Sequence, residues 1–154
     1  MNEVNRIVKE LREMYEGKPW HGSSVKEILS GVTHTMAADK QANGGHSIWE
    51  MVLHISSWID ISTQRLGGIA VEPPPEQDWP AVKETSKEAW NRTIKQLDSR
   101  EKKLEEAVSK LNENRLEQTA PGRDHGVRFM LQGVIYHNVY HSAQIAMAKK
   151  TLGK

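Results

Sequence analysis

The longest uninterrupted helical pattern in the chain covers residues 127 to 152, and it favours a fold built from long helices. This segment contains no proline and only one interior glycine. Its apolar residues recur at the three- and four-residue spacing that is typical of a helix packed on one face. The residues that mark this inward face are Met130, Val134, Ile145 and Ala148.

Two histidines lie within this apolar stripe. His137 and His141 are four residues apart, so on a helix they lie one turn above each other on the same face. A buried imidazole needs partners for its ring nitrogens, and two adjacent imidazoles can share a metal ion. The spacing alone is a weak signal, but its place on an inward face makes it a candidate site.

The rest of the chain also has helical periodicity. A first helix is predicted over residues 2 to 16, a second from Ser47 to Leu66 and a third from Trp90 to Leu111. Short helices are expected near residues 25 to 29 and 33 to 40. The charged faces of the third helix, which include Arg100 and Glu101, are expected in solvent.

These segments predict a single all-α domain over residues 1 to 154. Its four main helices are expected to form one antiparallel-type bundle. The proline-rich stretch from residue 67 to 80 is expected to be a long crossover between the second and third of them. No pattern indicates a strand pair.

Composition excludes several classes of function. Lysine and arginine number 21 against 20 acidic residues, which gives no electrostatic footprint for nucleic acid or an anionic membrane. The chain has no cysteine, so it has no thiolate ligand and no cysteine nucleophile. No apolar run approaches the ~18 residues of a membrane span, and the N-terminus lacks a signal-peptide core. We therefore expect a cytoplasmic protein.

Three of the seven histidines are expected on inner helix faces: His54, His137 and His141. Three neutral imidazoles can occupy three corners around a divalent ion and leave one position open. The residues alone leave a second interpretation open, in which these are core histidines that hydrogen-bond to amides, tyrosines or water.

The other four histidines receive different expectations. His34 and His125 are expected on the surface, and His46 is expected to have a structural role before the second helix. His21 lies in a Trp-His-Gly loop that could cover one end of the bundle, so it is a candidate pocket residue.

Known metal and nucleotide motifs are otherwise missing from the sequence. It contains no H-E-x-x-H, and Glu50 precedes His54 by four residues rather than the three of di-iron bundles. This spacing favours a mononuclear histidine site. No G-x-S-x-G, Walker loop or G-x-G-x-x-G motif occurs.

At these residues the chain resembles the DinB/YfiT-like family of four-helix bundle proteins. The resemblance covers nearly the whole chain and includes the Ser-Ile-Trp-Glu segment at residues 47 to 50 and the His-Asn-Val-Tyr-His segment at 137 to 141. In that family, a histidine of the second helix and an H-x-x-x-H pair of the last helix bind a divalent metal. The resemblance thus implies His54, His137 and His141 as ligands. The motif of the last helix usually ends in H-x-G-Q in that family, whereas this chain has Ala143 in place of the glycine.

The resemblance also implies chemistry. Family members are described as metal-dependent hydrolases and resemble transferases that use bacillithiol or mycothiol. We therefore expect one divalent ion per chain, zinc or nickel, and either thiol S-transfer or hydrolysis. A low-molecular-weight thiol would have to arrive as a cosubstrate. The competing hypothesis is a non-catalytic metal-binding or stress-related module.

The residues suggested around such a site are Glu50, Trp58, Tyr140, Gln144 and His21. Glu50 is the nearest carboxylate, although a capping role competes with catalysis. Gln144 shares the ligand face, and core packing competes with a pocket role for Trp58 and Tyr140. No residue is identified as a catalytic base. The resemblance and the five tryptophans suggest a homodimer.

Overall fold

The computed structural model describes residues 1–153 of the chain, and this part is all-helical. Four long helices form the body of the molecule, and four short ones lie in the connections between them. The eight helices are α1 (Glu3–Glu16), α2 (Val25–Leu29), α3 (His34–Ala38), α4 (Ile48–Leu66), α5 (Pro75–Asp78), α6 (Lys87–Ser109), α7 (Glu113–Leu116) and α8 (Val127–Leu152).

Side-chain caps place the starts of three long helices. Asn2 and Ser86 accept hydrogen bonds from the backbone N–H groups of Asn5 and Ala89 at the starts of α1 and α6. The predicted capping box begins α4, where Ser47 and Glu50 each accept from the other's backbone N–H. These local bonds explain why the sequence predicted the starts of α1 and α4 to within one residue, whereas α6 begins three residues before the predicted Trp90.

The four long helices pack around one apolar core. Each of α1 and α4 packs against both α6 and α8, so that α1 and α4 lie on one diagonal of the bundle. The core is filled by residues at helical spacing from every long helix, such as Leu11, Ile55, Leu104 and Leu131, which are fully buried.

The expected antiparallel arrangement of successive helices is wrong for one pair. Trp49 Nε1 donates to Thr93 Oγ1, and Arg100 donates to Ser56 Oγ one span further along both helices, so α4 and α6 run parallel. The crossover from residue 67 to 86 makes this possible, because it is long enough to return the chain along the bundle before α6 begins.

The other long helices complete an up-down-down-up order. Tyr15 contacts Asp98, and Arg12 contacts Glu105, so α1 and α6 are antiparallel. The His54 ring lies beside His141, and the Trp58 ring, one turn later on α4, lies beside His137, one turn earlier on α8, so α4 and α8 are also antiparallel. Within residues 1–153, no helix is both long enough and apolar enough to cross a membrane.

The expectation that the charged residues of α6 lie in solvent is wrong for Glu101. This side chain is only 3% exposed, and neither of its carboxylate oxygens has a hydrogen-bond partner. Arg100 is partly buried as well, since it donates to Ser56 and pairs with Asp60 on α4. The face of α6 that is buried by neighbouring helices is wider than the positions of its apolar residues alone indicate.

Candidate metal centre

The fold brings the three predicted histidines together between α4 and α8. His54 comes from the middle of α4, and His137 and His141 come from adjacent turns of α8. Nε2 of His54 lies 2.9 Å from Nε2 of His137, and the ring centres of His54 and His141 are 4.7 Å apart. One ligand nitrogen from each residue lies within 4.8 Å of the other two.

The last residue of α5 and the residue after it fix the ring of His54. Its Nδ1 donates a hydrogen bond of 2.6 Å to the backbone carbonyl of Asp78, which leaves Nε2 without a proton. The ring of Trp79 stacks on the His54 imidazole with the ring centres 3.8 Å apart and the two planes nearly parallel. His46 stacks on Trp79 in turn, at 3.7 Å. The crossover therefore orients the first ligand.

A residue of the same helix orients His141. Its Nδ1 donates to Oε1 of Gln144 at 2.7 Å, so its Nε2 is also the nitrogen that carries a free lone pair. A hydrogen bond on one ring nitrogen that fixes the tautomer for the other is the usual arrangement around metal-binding histidines.

His137 is placed differently. Its Nε2 donates to the Nε2 lone pair of His54, and its Nδ1 is buried with no hydrogen-bond partner. The shared proton between the two Nε2 atoms occupies the place that a bound cation would take.

All three imidazoles are held in the neutral form that ligates metals. Burial lowers the pKa of His54, His137 and His141, because the protonated form loses its hydration. The pKa of His137 falls to about 4, since the two neighbouring imidazoles add to the effect of burial. None of these rings needs to lose a proton to solution before binding a cation at neutral pH.

These properties fit a divalent transition metal. The donors are imidazole nitrogens, which suit zinc, nickel, copper and iron. Among residues 1–153, no further histidine, aspartate or glutamate joins the three-histidine cluster. Three protein ligands leave one position of a tetrahedral ion open, which is the pattern of catalytic zinc sites.

A cavity of about 530 Å³ opens beside the histidines. All three predicted ligands contribute to its wall, together with residues of α4, α8 and the crossover. The other lining residues are Trp58, Ser62, Arg65, Asp78, Trp79, His125, Phe129, Met130, Gly133 and Val134. The predicted border at the Trp20-His21 loop is wrong, because that loop lines a different pocket with α1 and the outer side of α8.

The suggested neighbours of the site divide into two groups. Trp58 lines the cavity and donates from Nε1 to Asp78 Oδ1, and Gln144 binds His141. Tyr140 is mostly exposed and meets the edge of the His141 ring, so it is not a core residue. Glu50 pairs with Lys40, lies near His46 and caps α4, which confirms the capping role, and it does not join the three-histidine cluster. His21 is exposed and remote from the cluster.

Sequence reasoning missed the residues that the crossover and the α7–α8 connection contribute. Asp78 and Trp79 complete the surroundings of His54, His46 supports Trp79, and His125 lines the cavity although it was expected on the surface. The Asp-Trp-Pro sequence at 78 to 80 was a visible signal. Only the packing of an irregular segment onto α4 gave it a role.

Comparison with known proteins agrees with the site. The family model of the DinB superfamily matches residues 20–145. No curated protein and no solved structure matches the chain. The matched range includes the capping box of α4, the crossover and all three clustered histidines, and it covers most of the chain. This protein therefore belongs to the DinB superfamily.

Proposed function

We propose that the protein is a metal-dependent enzyme that holds one divalent ion, zinc or nickel, on His54, His137 and His141. The single observation that supports this most is that the three imidazoles, with no fourth protein ligand among residues 1–153, line the wall of an open cavity. A structural metal site closes its coordination shell with protein ligands, whereas a catalytic one keeps a position for water or substrate.

The reaction that we propose is thiol S-transfer or hydrolysis. A bound divalent ion lowers the pKa of a coordinated water or thiol and so supplies a nucleophile near neutral pH. The residues of this chain then have separate tasks. Asp78 and Gln144 hold two imidazoles in the ligating tautomer, and Trp79 and Trp58 exclude water from one side of the site.

A thiol cosubstrate is favoured by the composition of the chain. Because the protein has no cysteine, a sulfur nucleophile has to come from a small molecule. A free thiol has a pKa near 8.5 and is mostly protonated at neutral pH, so stabilising its thiolate is useful catalysis.

Cobalt substitution tests the proposal. The protein, purified without a histidine tag, would be loaded with cobalt and titrated with a small thiol. We expect a sulfur-to-cobalt charge-transfer band. A spectrum unchanged at saturating thiol but altered by azide would favour water activation and hydrolysis. If thiol, azide and imidazole all leave the spectrum unchanged, the site is closed, and the non-catalytic metal-binding module becomes the better proposal.

We also propose a homodimer formed through the outer face of α8. Four large apolar side chains on this face are each more than 60% exposed: Phe129, Tyr136, Tyr140 and Met147. Their successive spacings of seven, four and seven residues place them in one narrow line along the helix. Such a line is suited to the matching helix of a second copy. Light scattering that finds only monomer at micromolar concentration would contradict this.

A further inference from the structure

The cavity beside the histidines extends away from them along α4 to a buried arginine. Arg65 follows His54 by eleven residues, so their Cα atoms are about 16 Å apart along the helix. The wall between them contains Trp58 and Ser62 on α4, and Phe129 with Met130 on the facing turns of α8. The cavity is therefore elongated, with polar groups at its two ends and a mainly apolar middle.

Arg65 is a buried cation without a direct ion-pair partner among residues 1–153. Arg65 is only 4% exposed. Its Nε and Nη2 both donate to the backbone carbonyl of Val71. No carboxylate of residues 1–153 forms an ion pair with it. The guanidinium carbon lies 5.7 Å from the centre of the Trp58 ring, inside the same cavity wall. A buried charge that has only one carbonyl partner is unfavourable unless something else compensates it.

The surroundings of Arg65 supply only part of that compensation, from the face of the Trp58 ring and from the negative charge of Glu72. Arg123 lies close by and also donates to the carbonyl of Val71. The carboxylate of Glu72 pairs with Arg123, and it is itself largely exposed. Two guanidinium groups and one carboxylate leave an excess of one positive charge at this end of the cavity.

The opposite end has the opposite character. Asp78 is the only carboxylate in the cavity lining, and it lies beside His54 and Trp58. An anionic group of a ligand is therefore repelled near the histidines, except where a cation binds it directly, and is attracted near Arg65.

We infer that the cavity binds an elongated substrate with an apolar middle, whose carboxylate is held by Arg65 and whose reacting group lies at the three histidines. This rests on the proposed function only in placing the reacting group at the histidines. A guanidinium with free N–H groups recognises a carboxylate by charge and by directed hydrogen bonds. Arg65 is thus a specificity residue rather than a catalytic one.

A matched pair of small molecules tests the inference. Calorimetric titration of the metal-containing protein would compare 4-phenylbutyrate with its uncharged amide, 4-phenylbutyramide. We expect the acid to bind at least about tenfold more tightly, since a charge-assisted hydrogen bond replaces a neutral one. Equal affinities in the unaltered protein would overturn the inference without any need for a variant.

Two variants assign the preference to its residue. Arg65→Gln should remove the preference for the acid, and Arg65→Lys should retain part of it. Arg100→Gln is the matched control, because Arg100 is a half-buried arginine that contacts α4 but does not line the cavity. It should keep the full preference. If the preference persists in Arg65→Gln, the carboxylate binds at the histidine end, and the inference is overturned.

The same protein samples distinguish a failure of this inference from a failure of the proposed function. Elemental analysis should find the same metal content in the unaltered protein and in Arg65→Gln. Protein that holds its metal but shows no preference for the acid contradicts the present inference alone. Protein without metal that still shows an Arg65-dependent preference contradicts the proposed function alone.

Discussion

Two regions of this bundle bury ionisable side chains, and they differ in what surrounds those groups. Between α4 and α8, two buried imidazoles and one half-buried imidazole lie beside a cavity, and two of the three donate to oriented oxygen atoms of Asp78 and Gln144. On the α1 side of α6, Glu101 is buried with neither carboxylate oxygen paired. Glu101 does not line the cavity beside the histidines.

Burial therefore has different consequences for the ionisable groups of the two regions. Burial lowers the pKa of the imidazoles and so favours their ligating form, whereas it raises the pKa of Glu101 to about 8 and so favours its uncharged form. The first region offers lone pairs to a cation that can enter from the cavity. In the second region the carboxyl group is buried without a hydrogen-bond partner, so the effect expected from it is on stability.

The largest expected effect is the loss of metal affinity when one of the clustered histidines is removed. His137→Ala and His141→Ala should each lower the affinity for the metal by about 1,000-fold or more, because one of three ligands is lost. The helical circular dichroism spectrum should stay nearly unchanged, since α8 keeps its own apolar face. His21→Ala is the matched control and should bind metal normally. Global unfolding of the first two variants would instead make these histidines core residues.

The next effect concerns Glu101 and depends on pH. Its pKa is raised from 4.5 to about 8 by burial and by the negative charges of Glu105 and Glu16, and Tyr15 also lies nearby. Between these two pH values the folded state binds more protons than the unfolded state, so the free energy of unfolding falls as pH rises.

Glu101→Gln should remove this contribution. At pH 9 the variant should be more stable than the unaltered protein by on the order of 3 to 5 kcal/mol relative to their difference at pH 4.5. Denaturant unfolding of both proteins across this range would measure it. Glu106→Gln, an exposed neighbour on α6, should show no such change with pH. An equal pH dependence with and without Glu101 would mean that its carboxyl is hydrated.

A smaller effect on metal affinity is expected when the hydrogen bond to one of the imidazoles is removed. Gln144→Ala should weaken metal binding by about 10-fold, because Nδ1 of His141 loses the acceptor that fixes its tautomer. Gln144→Glu keeps an acceptor oxygen and should retain the affinity. Competition with a metal indicator would measure both. Gln132→Ala, elsewhere on α8, serves as the control. An unchanged affinity in Gln144→Ala would show that the tautomer is fixed by other means.

The smallest effect tests a paired polar group in the α1–α6 region. Tyr15 is buried, and its hydroxyl donates to Asp98. Tyr15→Phe should lower the free energy of unfolding by about 1 kcal/mol, as expected for one lost hydrogen bond. Tyr140→Phe, which alters an exposed hydroxyl, should leave it unchanged. Equal effects of the two substitutions would show that the bond to Asp98 contributes nothing to stability.

The sequence by itself determined the helices and indicated the three candidate ligands. Helical periodicity, the capping box at Ser47 and Glu50, and the four-residue spacing of His137 and His141 are local properties, so each could be read without knowing what packs where. The inward position of His54 on the second long helix was also visible, the resemblance to the DinB/YfiT-like family favoured a metal site over core histidines, and the tertiary structure places all three imidazoles together.

Only the tertiary structure decided what lies around those ligands. The parallel run of α4 and α6 follows from the path of an irregular crossover, and no periodicity encodes such a path. The same segment brings Asp78 and Trp79 onto His54 and helps to close the cavity that extends to Arg65. The burial of Glu101 also depends on the neighbouring helices, because a charge pattern records polarity along one helix but not the width of the face that its partners cover.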